Sequence, residues 1–290
     1  MRGQFISSAI KALALDLDGT ALLPDTGMGE RTVRCLKRLK ATGIQIIFCT
    51  GRAIEASYRY CSAVDADGPM VFFNGAEIAD VSAPSTDGGV RLISSTLMNF
   101  NVVDFGIDVA RSMGVHFHIF LPPNSIPGVA DGWEALLTEK QSPESEMYRR
   151  HTGITPVVAN LKEVIANPEL KGCVKAMFIA DPSLLEEIRG RMLARFGAAI
   201  YTARSFPTFL EIMNAGVSKG EGLKTVMNCR GLKPEEMIAF GDEENDLPMF
   251  SAAGFSAAPS GAKDKVRQAA DFVFGSNAEE GLAAFLEEML

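Results

Sequence analysis

Short apolar runs that alternate with helical patterns are the feature that most constrains the fold of this chain. Near its start, strands are predicted at 11–17, 45–49 and 70–73, and helices at 29–42 and 53–63. This order of strand, helix, strand, helix, strand predicts a parallel sheet with right-handed crossovers. After residue 217 the alternation resumes, with strands predicted at 237–240, 254–257 and 271–274 and helices at 219–228, 244–252, 264–270 and 279–289. We therefore expect an α/β fold with a doubly wound parallel sheet.

The middle third of the chain interrupts this alternation. Residues 80–89 are rich in turn-forming residues, and a proline- and glycine-rich loop is expected at 121–132. Other predicted elements are helices at 99–113 and from Asp181 to about 195, a helix-like segment at 133–140, a polar run at 141–152, and strands at 115–120, 174–180, 198–204 and 208–213. This mixture predicts an inserted α+β module. We expect a core domain formed by 1–81 and 214–290 and an inserted domain formed by 82–213.

Two carboxylates stand at the end of the first predicted strand. Asp16 and Asp18 are one residue apart, and Gly19 after them permits a sharp turn. Because side chains alternate along a strand, both carboxylates are expected on one side, at the edge where open α/β sheets bind their ligands. Such a cluster is costly to hold together without a cation, and Mg²⁺ prefers oxygen ligands. The sequence therefore predicts a magnesium site at this edge.

Three further motifs follow strands or begin helices of the same predicted sheet. They are Thr50-Gly51-Arg52, Lys219-Gly220 and the run 241–246, which reads GDEEND. Asp242 and Asp246 are four residues apart at a predicted helix start, so they are expected to face one side. A hydroxyl, backbone N–H groups at a helix start and a lysine ammonium together suit an anion. The combined set predicts an attacking carboxylate and a bound phosphoryl group.

In this order, the motifs resemble those of the haloacid dehalogenase-like hydrolases, and specifically the Cof-type phosphatases with a large α/β cap of the C2B type. The resemblance is carried by DLDGT at 16–20, TGR at 50–52, FFNGA at 72–76, LEIMNAGVSKG at 210–220 and GDEEND at 241–246. It covers the core almost completely, and the inserted domain only in size and position. The first motif alone is moderately specific for this family, whereas all the motifs in this order are strong evidence for the resemblance.

The resemblance implies a role for each of these residues. Asp16 is the nucleophile that forms an aspartyl phosphate, and Asp18 is the general acid and base. Mg²⁺ is bound by Asp16, by Asp18 through its backbone carbonyl, and by Asp242 as a direct ligand. Asp246 binds it either directly or through water. The phosphate group is bound by Thr50, Gly51 and Lys219, and Asn245 either binds a phosphate oxygen or orients Lys219. Arg52 and Asn74 are candidates for substrate contact, although an ion pair is the simpler expectation for Arg52.

The composition narrows the choice of partners. The 290 residues carry a formal net charge of −8, which argues against nucleic acid and anionic membranes as partners. No apolar run is long enough to span a membrane, and residues 1–5 do not resemble a secretory signal. The five scattered cysteines, without a CxxC pair, favour reduced thiols. We expect a cytoplasmic monomer or weak homodimer that acts on a small phosphorylated metabolite, with no nucleic acid and no membrane partner.

Several residues have no role in this scheme. His116 and His118 alternate on one predicted strand; without a third ligand, ordinary core or surface histidines are favoured over a metal pair. Arg149 and Arg150 suit a second anionic group of a substrate, but a run of charges is usually solvated. The family's Gly-Asn-Ala type of turn after the last motif is replaced by AAPSG at 257–261, where the proline before Ser260 removes a backbone donor. This departure bears on the substrate range.

The sequence thus predicts a Mg²⁺-dependent phosphomonoester hydrolase for a small organic phosphate, with a sugar phosphate favoured by the resemblance and reduced-flavin or pyridoxal-type phosphates left open. A phosphomutase that uses the same aspartyl phosphate is the first alternative. It would require a strong cationic patch in the inserted domain. A receiver-like module that accepts a phosphoryl group without turnover is the second, although receivers lack such a large insertion. A plain binding protein is least favoured, because every acid that the chemistry needs is present.

Overall fold

The structure, a computed structural model, describes residues 10–25, 27–84, 90–130 and 132–290. These residues form two compact units. The first, called the core unit below, holds the described parts of Met1–Arg52, Ser57–Ala83 and Ser218–Leu290, and the second, the cap unit, holds those of Ala53–Ala56 and Pro84–Val217. The expectations for residues 1–5 and 85–89 lie outside the described residues.

The strands and helices are numbered in chain order. The strands are β1 (Ala12–Leu15), β2 (Gln45–Phe48), β3 (Pro69–Phe72), β4 (Glu77–Pro84), β5 (Val90–Ser95), β6 (His116–Leu121), β7 (Ala135–Thr138), β8 (Val157–Val158), β9 (Lys175–Ile179), β10 (Ile200–Phe206), β11 (Phe209–Asn214), β12 (Met237–Phe240), β13 (Phe255–Pro259) and β14 (Phe272–Phe274). The helices are α1 (Glu30–Ala41), α2 (Ile54–Ala63), α3 (Phe100–Met113), α4 (Pro143–Thr152), α5 (Leu161–Ile165), α6 (Pro182–Phe196), α7 (Lys219–Arg230), α8 (Leu247–Ala252), α9 (Asp264–Ala269) and α10 (Gly281–Glu287).

The core unit contains the predicted parallel sheet, with strand order β14-β13-β12-β1-β2. All four residues of β1 are buried, as expected for a strand that is covered on both faces. In the register, Leu15 at the end of β1 is aligned with Phe48 on β2 and Phe240 on β12. These three strands therefore end side by side, and the polar motifs begin at that edge.

The third predicted strand joins this sheet less simply than expected. An isolated parallel bridge links Cys49 to Val71, but the ladder partner of β3 is the antiparallel strand β4. Strands β3, β4 and β5 form a separate small sheet. The turn-rich interpretation of 80–89 is wrong for 80–84, because β4 continues to Pro84, and β5 was not predicted. Pairing with β3 satisfies the backbone of β4 and outweighs its weak local preference for a strand.

The cap unit contains a six-stranded sheet in the order β10-β11-β9-β6-β7-β8. Helices pack against one face of this sheet, where Phe117, Ile119 and Phe178 of the strands meet Val103 and Ile188 of the helices. Because side chains alternate along a strand, the residues between these apolar positions lie on the other face. That face therefore carries the polar side chains of the sheet that are described below.

Two expectations for the cap unit are corrected. Residues 133–140 are not helical, because Ala135–Thr138 pairs with β6 as strand β7 and all four residues are buried. So short an apolar run has no periodicity that separates strand from helix. The polar run 141–152 is mostly helix α4, which begins with Pro143 after a capping box at Ser142. Among the described helices, none has both the length and the apolar character needed to cross a membrane.

Candidate active site

Asp16 is the first residue beyond β1, an inner strand of the core sheet that is flanked by β12 and β2. Its backbone N–H donates to the carbonyl of Phe240 at 2.9 Å, which continues the ladder between β1 and β12. Its side chain is almost completely buried, with 6% exposed. A carboxylate at the carboxyl end of a buried inner strand lies at the edge where open parallel sheets bind their ligands.

Two acids from the end of β12 meet Asp16 there. Carboxylate oxygens of Asp16, Asp242 and Asp246 all lie within 4.8 Å of one another. Asp246 Oδ2 accepts the backbone N–H groups of Asp242 and Glu243 at 2.9 and 3.0 Å. The Asp246 side chain therefore also stabilises the loop in which it lies. A Cβ at Gly19 would lie 2.1 Å from a carboxylate oxygen of Asp242, which makes the glycine necessary.

Lys219 links two of these acids. Its Nζ donates to Asp16 Oδ1 at 2.5 Å and to Asp246 Oδ1 at 2.7 Å. Lys219 is the first residue of α7, whose N-terminus is capped by the Ser218 side chain. Burial lowers the pKa of Lys219, but the two carboxylates outweigh it and raise the pKa above its usual value. The lysine is therefore held as an ammonium between two carboxylates.

One ammonium does not balance three carboxylates. The formal charge of Asp16, Asp242, Asp246 and Lys219 together is −2, because three charges of −1 are joined by one of +1. Burial, and then repulsion from Asp246 and Asp242, raises the pKa of Asp16 well above its usual range against the opposing effect of Lys219. Burial and the charge of Asp246 likewise raise the pKa of Asp242 to about 7. Crowded carboxylate oxygens with excess negative charge fit a divalent cation such as Mg²⁺.

Asp18 does not join this cluster through its carboxylate. Both of its side-chain oxygens face the guanidinium of Arg52, with Nε to Oδ2 at 2.7 Å and Nη2 to Oδ1 at 2.5 Å. The backbone also changes direction at this point, because Gly19 has a φ of +76°. The Asp16 and Asp18 carboxylates therefore have different partners although only Leu17 separates the two residues.

The turn after β2 brings Thr50 and Gly51 to the same edge of the sheet. The hydroxyl of the fully buried Thr50 accepts the backbone N–H of Arg52 at 3.1 Å. The backbone N–H of Thr50 donates to the carbonyl of Val71 at 2.9 Å, so this turn is tied to β3. These bonds fix the turn between β2 and α2.

Asn74 and Asn245 form a second link across this edge. Asn245 Nδ2 donates to Asn74 Oδ1 at 2.9 Å. Asn74 is buried with a φ of +55°, and a Cβ added to Gly51 would lie 3.1 Å from its amide oxygen. The amide oxygen of Asn245 is buried and has no hydrogen-bond partner among the described residues. The two amides thus connect the turns that follow β2, β3 and β12.

Two contacts to Asp242 were not foreseen. The Thr20 hydroxyl donates to Asp242 Oδ1 at 3.1 Å, and the backbone N–H of Lys263 donates to its carbonyl oxygen at 3.2 Å. Thr20 belongs to the first motif, so its place there was the available signal. Lys263 follows the unusual turn with Pro259, which therefore supports the backbone of an acid in the cluster. Its role depends on a backbone bond, which the sequence alone does not reveal.

The conspicuous residues of the cap unit lie in two different environments. His116 and His118 are buried, and His116 Nε2 lies 3.2 Å from His118 Nδ1. Burial lowers the pKa of His116 to about 4 and the pKa of His118 well below its usual value. Arg149 and Arg150 are exposed and both bind the carboxylate of Glu146. Among the described residues, the acidic cluster found with metal-binding spacing contains neither histidine.

The chain is similar to known proteins both in sequence and in structure. The family model of the haloacid dehalogenase-like hydrolases matches residues 13–286. A 5-amino-6-(5-phospho-D-ribitylamino)uracil phosphatase of Bacillus subtilis, YitU, is 29% identical over 281 residues, which cover 95% of this chain and 96% of the relative. An HMP-PP phosphatase of Cronobacter sakazakii is 27% identical over 241 residues, covering 83% and 80%. A haloacid dehalogenase-like hydrolase from Bacteroides thetaiotaomicron superposes with a TM-score of 0.83 at 23% identity, covering 97% of this chain and 100% of the other.

The chain belongs to the haloacid dehalogenase-like hydrolase family. The predicted α/β class with a separate cap sheet is confirmed, and so is the predicted class of enzyme, a phosphatase. The buried acidic cluster agrees with the metal-binding character that the sequence indicates.

Proposed function

We propose that this protein is a Mg²⁺-dependent phosphomonoesterase that hydrolyses a small organic phosphate, a sugar phosphate or its polyol equivalent, through an aspartyl phosphate on Asp16. The observation that carries the proposal is the buried cluster of Asp16, Asp242 and Asp246, which retains excess negative charge despite Lys219. Burying uncompensated carboxylates is costly, and a bound divalent cation reduces that cost.

In the proposed reaction, Asp16 attacks the phosphorus atom and the bond from phosphorus to the ester oxygen breaks. Asp18 donates a proton to the leaving oxygen, then accepts one from the water that attacks the aspartyl phosphate. That second step releases inorganic phosphate and restores Asp16. When bound by Asp16, Asp242, Asp246 and the backbone carbonyl of Asp18, Mg²⁺ supplies positive charge that reduces repulsion between carboxylate and phosphate.

The phosphoryl oxygens are bound by the Thr50 hydroxyl, the Gly51 backbone N–H and Lys219. Hydroxyl and N–H donors at the start of a helix suit an anion, and a buried ammonium offsets its charge. Asn245 is proposed as a further donor on this side. Its link to Asn74 favours a role for Asn74 in holding the site together rather than in touching substrate.

The substrate class rests on the relatives. YitU is named for a substrate whose phosphate is on a ribityl group, an open-chain polyol. The HMP-PP phosphatase is named for another small phosphorylated compound. A phosphate ester of an aliphatic alcohol is therefore proposed. The phosphomutase alternative has less support, because Arg149 and Arg150, the clustered arginines it would use, are both paired with Glu146.

The organisation of the protein is part of the proposal. We propose that residues 1–81 and 214–290 form the catalytic core and that 82–213 form a cap that selects the substrate. We also propose a cytoplasmic monomer or weak homodimer, and the five free thiols are compatible with a reducing compartment.

The test is phosphate release from p-nitrophenyl phosphate and a panel of sugar and polyol phosphates, with Mg²⁺ and with EDTA. We expect Mg²⁺-dependent release, and a loss of at least ~10³-fold in Asp16→Asn. The matched control is Glu244→Gln, since Glu244 lies in the same loop as Asp242 but is exposed and paired with Lys265. Release that persists in Asp16→Asn, or in EDTA, would contradict the proposal.

A further inference from the structure

The contact between Arg52 and Asp18 has the geometry of a clamp. Two nitrogens of one guanidinium edge meet the two oxygens of one carboxylate, at 2.7 and 2.5 Å. Such a two-point pair fixes the direction of the carboxylate as well as its distance, which a single bond from a lysine does not do.

Arg52 is itself held from several sides. Its backbone N–H donates to the Thr50 hydroxyl at 3.1 Å, and its carbonyl accepts the backbone N–H of Phe73 at 3.1 Å. The far side of the guanidinium faces Tyr60, with Nη1 3.3 Å from the hydroxyl and the central carbon 5.6 Å from the ring centroid. The arginine therefore has a fixed position between the turn after β2 and helix α2.

The two partners differ in exposure. The Arg52 side chain is 6% exposed, whereas the Asp18 side chain is 37% exposed and lies in a turn. A half-exposed aspartate can adopt several rotamers unless a neighbour selects one. The buried, braced arginine is therefore the fixed partner, and the aspartate is the one that is positioned.

We propose that Arg52 is a positioning residue that aims the Asp18 carboxyl at the leaving oxygen of the substrate. This inference rests on the proposed function, in which Asp18 protonates that oxygen. It predicts that replacing Arg52 lowers kcat/KM more for a substrate whose leaving oxygen is more basic. A basic alkoxide or phenolate needs one, whereas p-nitrophenolate leaves readily without it.

Two substrates of similar shape separate this role from the alternatives. Phenyl phosphate and p-nitrophenyl phosphate share the phosphoryl group and the ring, but phenolate is the poorer leaving group. An arginine that binds the phosphoryl group would affect both alike, mainly through KM. An arginine that only supports the fold would also affect both alike. Only a residue that positions the proton donor changes the ratio of kcat/KM for phenyl phosphate to kcat/KM for p-nitrophenyl phosphate.

The experiment measures kcat/KM for both substrates with Mg²⁺ in the unaltered protein and in Arg52→Lys, which keeps the charge but loses the two-point contact. We expect a fall of ~100-fold for phenyl phosphate, and a fall at least ~10-fold smaller for p-nitrophenyl phosphate, in line with the usual size of general acid catalysis. Tyr60→Phe removes the hydroxyl that faces the Arg52 guanidinium. It should change the ratio of kcat/KM for the two substrates in the same direction, but by less. This variant keeps the inference testable if Arg52→Lys does not fold.

The matched control is Arg59→Lys. Arg59 also binds the Tyr60 hydroxyl, at 2.5 Å, and packs over the same ring, but it is exposed, and the guanidinium that contacts Asp18 is that of Arg52. Arg59→Lys should leave the ratio of kcat/KM for the two substrates unchanged. Equal losses for both substrates in Arg52→Lys, or an equal rise in KM, would overturn the positioning role and leave the phosphatase intact. Failure of the unaltered protein to hydrolyse either substrate with Mg²⁺ would instead remove the proposed function.

Discussion

The core unit and the cap unit each bury a cluster of charged side chains, but the two clusters are balanced differently. In the core unit, Asp16, Asp242 and Asp246 share one ammonium, that of Lys219, and keep a formal charge of −2. In the cap unit, Lys175 and Glu211 form an ion pair at 3.0 Å, with 2% and 3% of their side chains exposed.

The formal charges of Lys175 and Glu211 cancel within the pair. The Lys175 ammonium faces the Glu211 carboxylate and also lies 5.3 Å from the centre of the Phe120 ring. Nearby, His116 and His118 have lowered pKa values and stay neutral at pH 7. A buried pair with no excess charge is retained without a ligand, whereas a buried cluster with excess charge needs one. This difference in charge balance distinguishes a structural ion pair from the candidate active site, which burial or polarity alone does not.

The largest effect should come from breaking the balance in the cap unit. Lys175→Met removes the ammonium that contacts the buried Glu211 carboxylate, and we expect the free energy of unfolding to fall by about 3–5 kcal/mol. The double variant Lys175→Met/Glu211→Leu removes both charges and should recover most of this loss. Urea denaturation measures all three proteins. A double variant as unstable as the single one would mean that packing, not charge balance, accounts for the loss.

A second effect follows from the neutral histidines. The folded-state pKa of His116 is about 4, and the usual value is 6.5. Above pH 6.5 both states are neutral; as the pH falls, the unfolded chain is protonated first, so stability decreases from about pH 6.5 down to 4. For His116 this amounts to about 2 kcal/mol at pH 5.

His116→Gln should remove that part of the pH dependence. The measurement is the free energy of unfolding at pH 7 and pH 5 for the unaltered protein, for this variant and for His151→Gln as a control, because His151 is only half-buried. An unchanged slope in His116→Gln would show that the imidazole is charged, or accessible to protons, in the folded protein.

The smallest effect should come from an exposed charge cluster. Glu146 binds both Arg149 and Arg150, yet all three side chains are at least 40% exposed. Solvent screens such pairs, so Glu146→Gln should leave the midpoint of urea denaturation unchanged within error. A marked loss of stability would contradict the view that burial and charge balance together determine how much an ion pair contributes to the free energy of unfolding.

The core unit was predictable because its strands and motifs are local signals. A buried apolar run that ends in acids or in TGR identifies both the strand and the polar residues after it, and parallel strands bring these ends together. The cap unit was less predictable. The four apolar residues of β7 fit a strand or a helix, and only pairing with β6 decides between them.

The site shows the same limit at the level of side chains. Residue types and spacing indicated Asp16, Asp242, Asp246 and Lys219, which the structure brings together. The pairing of Arg52 with Asp18 joins residues 34 positions apart and depends on the turn after β2. Such partners are set by tertiary geometry, so a sequence pattern supplies the candidates but not the contacts.

We expect a divalent cation to complete the acidic cluster of the core unit. The most direct test is isothermal titration of Mg²⁺ into EDTA-treated protein at pH 8, with Asp242→Asn and Glu244→Gln in parallel. We predict a single-site isotherm for the unaltered protein and for Glu244→Gln, and at least ~10-fold weaker binding for Asp242→Asn. Absence of binding to the unaltered protein, or equal binding to Asp242→Asn, would contradict the account.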